Sequence, residues 1–154
     1  MSMDTLIIFG AKYLYLLSLA AAAIFFLRAP KDARKELFLY ALVVLPAAYV
    51  LAKIAGFLYY DPRPFVEGGF APLIPHTADN GFPSDHTLLT SAVAAVVTRF
   101  GRKTGAFLWV VAVLVGASRV AADIHHPVDI AGSIAISLLA AAAASYFFNK
   151  KASA

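Results

Sequence analysis

Five apolar runs, at about 5–27, 37–59, 86–100, 105–123 and 128–148, occupy most of this 154-residue chain. An α-helix needs about 20 consecutive apolar residues to cross the hydrocarbon core of a bilayer. The third run reaches that length only if its helix starts near Ser84 and continues through Phe100 into the basic turn beyond, giving 84–102. The predicted fold is therefore all-α, a polytopic membrane helix bundle of about five transmembrane helices. It forms one integral-membrane domain over 1–154, with spans at 5–27, 37–59, 84–102, 105–123 and 128–148. The loops leave no room for a separate soluble domain. The composition agrees, since 61% hydrophobic residues against 14% charged ones, with a mean hydropathy of +0.76, lies well outside the soluble range. Asp4 ahead of the first run, with no basic segment before it, reads as a retained helix rather than a secretion signal. With no cysteine in the chain, disulfides, thiol nucleophiles and Cys-ligated metals are excluded.

The charges give the runs a direction. Arg28, Lys31, Arg34 and Lys35 lie between the first and second runs, Arg99, Arg102 and Lys103 between the third and fourth, and Lys150 and Lys151 after the fifth. The positive-inside rule puts all three clusters in the cytoplasm, with the amino terminus outside, the carboxyl terminus inside, and the loops near 60–83 and 123–127 on the non-cytoplasmic side. The net charge of +4 is thus assigned to orientation, and no nucleic-acid partner is expected. Lys12, Lys53, Arg63 and Arg119 fall outside this pattern. Each lies in or beside a span, where a charge is expensive and marks a candidate site.

Nearly every group able to move a proton falls on that same outer side: His76, His86, His125 and His126, with Asp61, Glu67, Asp79, Asp85, Asp123 and Asp129. Three segments carry the pattern. Lys53 precedes Asp61-Pro62-Arg63-Pro64-Phe65. Pro83-Ser84-Asp85-His86 opens a helix, with Ser84 suited to cap it. Ser118-Arg119 is followed by His125 and, four residues later, by Asp129 in the first turn of the last helix. Two guanidiniums and an ammonium converging in a half-dry pocket suit a multiply charged tetrahedral anion such as phosphate. A histidine fixed by a carboxylate serves as nucleophile, and a second histidine protonates the leaving group. A zinc site of His86, His125, His126 and Asp129 is disfavoured, because the cationic ring repels a metal. His126 reads as a wall of the pocket and His76 as a solvated loop residue.

These segments, in this order, resemble the signature of the type-2 phosphatidic-acid phosphatase superfamily of membrane lipid phosphatases: Lys-x6-Arg-Pro, Pro-Ser-Gly-His and Ser-Arg-x5-His-x3-Asp. The Pro-Ser-Asp-His form with Arg-Pro-Phe resembles the subgroup that acts on undecaprenyl diphosphate, the lipid carrier of bacterial wall synthesis. The resemblance implies that His125 attacks phosphorus and becomes transiently phosphorylated, that Asp129 orients it, and that His86 protonates the departing lipid phosphate. Arg63, Arg119 and Ser84 would hold the phosphoryl oxygens, with no metal or cofactor required. Ser118 belongs to the same motif. The substrate would be a membrane lipid phosphate met at the outer leaflet of a prokaryotic cell membrane.

Two departures from the family pattern stand out. Lys53 precedes Arg63 by ten positions instead of seven, and Gly56 occupies the family position. Lys53 would point the same way from one turn deeper, and Lys12 is a substitute cation. Five spans are read where the family has six. Asp85 replaces the motif glycine and is expected to pair with a cation or simply to sit at the helix start. The competing readings are a phosphatidic acid or phosphatidylglycerophosphate phosphatase, a lipid-phosphate transferase using the same residues, and a non-catalytic lipid-binding membrane protein.

Overall fold

The computed structural model describes residues 2–152, with side chains through Lys150; Lys151 of the third basic cluster lies outside the described side chains. The helices are α1 (Met3–Arg28), α2 (Lys31–Leu58), α3 (Pro64–Gly68), α4 (Asp85–Phe100), α5 (Arg102–Ala121) and α6 (Pro127–Ala152), and the described residues hold no β-strand. Local chemistry sets several of these limits. The Ser2 hydroxyl accepts from Thr5 N at the start of α1. Pro30 starts α2 six residues earlier than the apolar pattern suggests, and Arg34 reaches back to the carbonyls of Leu27 and Ala29 at 2.8 and 3.1 Å. Carbonyls left open at the end of α1 are thereby satisfied. The chain leaves α2 extended at Tyr59 and is extended again at Arg63, and Pro64 then occupies the first turn of the short helix α3, a position where its missing N–H costs nothing.

α1, α2, α5 and α6 are long and apolar enough to cross a membrane. The third expected span is shorter than 84–102. α4 has 16 residues, about 24 Å, and ends at Gly101, which also begins α5. It contacts all four long helices, and Thr87, Leu88 and the run Thr90–Val97 are buried. Its polar positions bond to α6: Ser91 Oγ lies 2.7 Å from Ser137 Oγ, Ser137 Oγ donates to Leu88 O at 3.2 Å, and Ser133 Oγ donates to Ser84 O at 2.9 Å. Ser133 therefore ties the start of α4 to α6. Ala140 and Ala144 allow close packing, buried in one cluster with Tyr40, Val44 and Ala48.

The ends of the bundle differ. At one end Arg99 meets Asn149 at 3.0 Å and Glu36 at 3.7 Å, so two basic clusters and the carboxyl-terminal segment gather there. The opposite end gathers the last turns of α2 and α5, the first turns of α4 and α6, and the loop from Tyr59 to Ser84.

Candidate active site

The geometry at that end starts with how α5 stops. Ile124 N donates to Arg119 O at 3.4 Å and Asp123 N to Val120 O at 2.9 Å, while Asp123 takes φ 57°. This pair of bonds around a left-handed residue is the Schellman helix end, here with aspartate where glycine is usual. Ile124 is buried against Ala11, Ile74 and Ala122. The spacing from Arg119 to His125 is thus set by a turn that reverses the chain and returns His125 beside the Arg119 side chain.

His125 is 2% exposed. Its Nδ1 lies 3.0 Å from Asp129 Oδ2, and its Nε2 lies 3.3 Å from both Arg63 Nη1 and Arg119 Nη2. Guanidinium groups only donate, so Nε2 presents its lone pair to them and Nδ1 carries the proton toward Asp129. Burial, followed by the two guanidinium charges, holds His125 below the ordinary imidazole value of 6.5, although Asp129 pulls the other way. Asp129 is fully buried, and its Oδ2 also accepts from His126 N at 2.9 Å, which fixes the first turn of α6.

The arginines are braced from separate elements. Arg63 donates from Nε to Asp79 at 2.7 Å and from Nη1 to Ile124 O at 2.7 Å. Partial burial raises Asp79, but the Arg63 bond and charge outweigh it and hold this carboxyl below its usual range. Arg119 donates to Ala11 O of α1 at 3.4 Å, while its Nε is buried without a partner among the described residues.

A cavity of about 390 Å³ opens in front of His125, lined by Arg63, Arg119, His86, His76, Lys53 and Asp85, among others. His86, in the first turn of α4, stands edge-on to Tyr15 at 5.1 Å. Lys53 Nζ lies 3.9 Å from Asp85 Oδ1 and 5.0 Å above the Tyr49 ring. Asp85 therefore pairs with the lysine and not with an arginine. Gly56, where the motif places a lysine, has little room for a side chain. A Cβ on Gly56 would stand 2.9 Å from Phe82 O, so the loop occupies the space a side chain there would need.

Four sequence expectations change. Ser84 is fully buried and does not line the cavity; its Oγ accepts from Thr87 at 3.2 Å and its carbonyl holds Ser133. Ser118 packs where α5 crosses Gly10 of α1, its hydroxyl donating to Leu114 O. Lys12 is exposed and does not line the cavity. His126 turns away from the cavity, with Nδ1 2.9 Å from Asp61 and Nε2 3.4 Å from Glu67. That orientation also separates the zinc set, since His125 faces cations while His126 faces carboxylates. Asp61, His126 and Asp129 bring one atom each within 4.8 Å, a group already joined by hydrogen bonds.

Two residues of the loop were missed or misread. His76 is half-buried in the cavity, its Nε2 3.3 Å from Arg119 Nη2 and its ring 6.3 Å from that of His125. Burial, then Arg63 and Arg119, lower its proton affinity. Asn80 braces the loop with all its amide atoms: Oδ1 accepts from Asp61 N and Phe82 N at 2.9 and 3.0 Å, and Nδ2 donates to Gly56 O and Tyr59 O at 2.8 and 3.0 Å. The Asn80-Gly81 pair is a turn signal in sequence, but nothing there shows what it holds.

Comparison with known proteins follows the same lines. The model of the PAP2 superfamily matches residues 37–153. The chain is 34% identical over 142 residues to the bacitracin transport permease protein BcrC of Bacillus licheniformis, covering 90% of this chain and 68% of that protein. It is 34% identical over 140 residues to the undecaprenyl-diphosphatase BcrC of Bacillus subtilis, covering 89% and 70%. Among solved structures it is similar to LpxE of Aquifex aeolicus, with a TM-score of 0.73 at 22% identity over 94% of this chain and 86% of that one.

Proposed function

This chain belongs to the PAP2 superfamily, and on that premise we propose that it is a membrane lipid phosphatase that hydrolyses undecaprenyl diphosphate to undecaprenyl phosphate through a phosphohistidine. The observation that carries the mechanism is His125, with Asp129 on one nitrogen and two guanidiniums facing the other. A phosphoryl group entering between Arg63 and Arg119 meets the lone pair of Nε2 in a buried, cation-lined site. Its developing charge is stabilised there far better than in water. The bound substrate replaces the resting contacts of Arg119 with His76 and His125, and the unpartnered Nε of Arg119 is a further donor for a phosphoryl oxygen.

The terminal P–O bond breaks as the N–P bond forms, and the lipid phosphate leaves with a proton from His86. His86 then takes a proton from water, which attacks the phosphohistidine and releases inorganic phosphate. Asp129 keeps Nδ1 protonated throughout and offsets the positive charge that forms on the ring. Lys53 binds the second phosphate from the cavity mouth, with Asp85 holding its ammonium in place. Ser84 acts indirectly, by anchoring the first turn of α4.

The active site faces the non-cytoplasmic side, the amino terminus is outside and the carboxyl terminus cytoplasmic. Support for this orientation comes from the basic clusters at the end opposite the cavity. The test is phosphate release by the purified full chain from undecaprenyl diphosphate, phosphatidic acid and phosphatidylglycerophosphate, with a chelator present. Fastest release from the diphosphate, unaffected by chelation, is expected. Preference for another lipid would replace the substrate, transfer of the phosphoryl group to a lipid acceptor would make the protein a transferase, and loss of release on chelation would overturn the metal-independent mechanism.

A further inference from the structure

We infer that the hydrocarbon tail of the substrate lies in a groove between α2 and α4, a conclusion that rests on the lipid phosphatase reading above. This groove, about 290 Å³ in volume, has Ala48, Leu88 and Ala92 as its floor, with Leu45, Tyr49 and Leu89 at its rim. The floor residues are at most 5% exposed, whereas Tyr49 and Leu89 are open at 56% and 37%. Lys53 and Asp85 line both this groove and the cavity before His125. The two spaces therefore adjoin at one ion pair, polar on the His125 side and apolar on the other.

The direction of the groove fits a tethered tail. From Lys53 it follows α2 for eight residues to Leu45, about 12 Å, and from Asp85 it follows α4 for seven residues to Ala92, about 10 Å. It thus runs along the helices from the headgroup toward the bilayer interior. Small side chains make the concavity, since Ala48 and Ala92 leave room that larger residues would fill. The Tyr49 ring carries the Lys53 ammonium on its face and fixes the cation at the point where head and tail divide. A larger apolar trough, about 490 Å³ between α5 and α6, contains Val113, Val120 and Ile130 but shares no residue with the cavity. Volume alone would favour that trough, yet a tail attached to a phosphate in front of His125 reaches the α2–α4 groove along a continuous wall.

The test compares Leu89→Trp, which fills the groove from its rim, with Val113→Trp in the α5–α6 trough. The full chain in lipid nanodiscs is assayed on a long polyprenyl diphosphate and on the diphosphate of a single isoprene unit. Leu89→Trp should lower the ratio of kcat/KM for the long over the short substrate roughly tenfold, while Val113→Trp leaves that ratio where it was. Equal loss on both substrates, or a shift with Val113→Trp alone, overturns the groove. Photolabelling with a polyprenyl phosphonate bearing a diazirine in its tail needs no turnover, and so separates this inference from the activity reading. Label in residues 45–53 and 85–92 supports the groove, and label confined to α5 and α6 refutes it.

Discussion

His125 and His126 share a peptide bond, yet one faces two guanidiniums and the other two carboxylates. Asp129 joins the two regions through a single oxygen, which accepts from the His125 ring and from the His126 backbone. The turn after α5 delivers His125 to the cavity, while the next side chain, just ahead of Pro127, points to Asp61 and Glu67. The contrast teaches that reactivity here comes from the local field and not from residue type. Nε2 of His125 is a lone pair among cations, poised for an anion. His126 spends both nitrogens holding the loop at Asp61 and the helix α3 at Glu67.

The largest expected effect is on the inner member of the pair. His125→Ala should reduce phosphate release roughly ten-thousandfold, the scale seen when a nucleophile or its partner is removed. Retention of activity within tenfold, measured as kcat/KM, would erase the distinction. An intermediate effect concerns pH. Only the neutral ring attacks, so activity falls as acid protonates Nε2. Because burial and the guanidiniums hold His125 below the ordinary value of 6.5, the acid limb of kcat/KM should lie below that value. Removing one cation by Arg63→Ala should move the residual limb upward, and a limb that begins above 6.5 in the unmodified protein would contradict the assigned field. The smallest effect belongs to His126→Ala, which should change kcat/KM by no more than a few-fold and lower unfolding stability by about 1 kcal/mol through its two partly exposed ion pairs. A collapse of activity with unchanged thermal stability would make the outer histidine catalytic as well.

Much of this arrangement is legible in the chain because it is local. The distances in sequence from Arg119 to His125 and from His125 to Asp129 correspond to one helix end and one helix start, two structures with fixed geometry. Apolar length gave the long helices in the same way. What stayed hidden depends on contacts distant in sequence. The segment from Gly69 to Pro83 has no hydrophobic period, so nothing in it announces that His76 turns inward to Arg119 or that Asn80 clamps the end of α2. Ser84 looked like a ligand because its motif carries it beside His86, whereas side chains at successive positions leave a helix in different directions, and its own is packed inside. α4 misled by length: a helix packed against four others meets lipid along only a narrow strip and is free to be shorter than the bilayer is thick.

The crowding at Gly56 limits how this site can change. A lysine at the position its superfamily favours would set its Cβ 2.9 Å from the Phe82 carbonyl oxygen, so the loop backbone must shift to admit it. The position of the lysine and the path of the loop are thus coupled, and an engineer wishing to reverse the first must redraw the second in the same step.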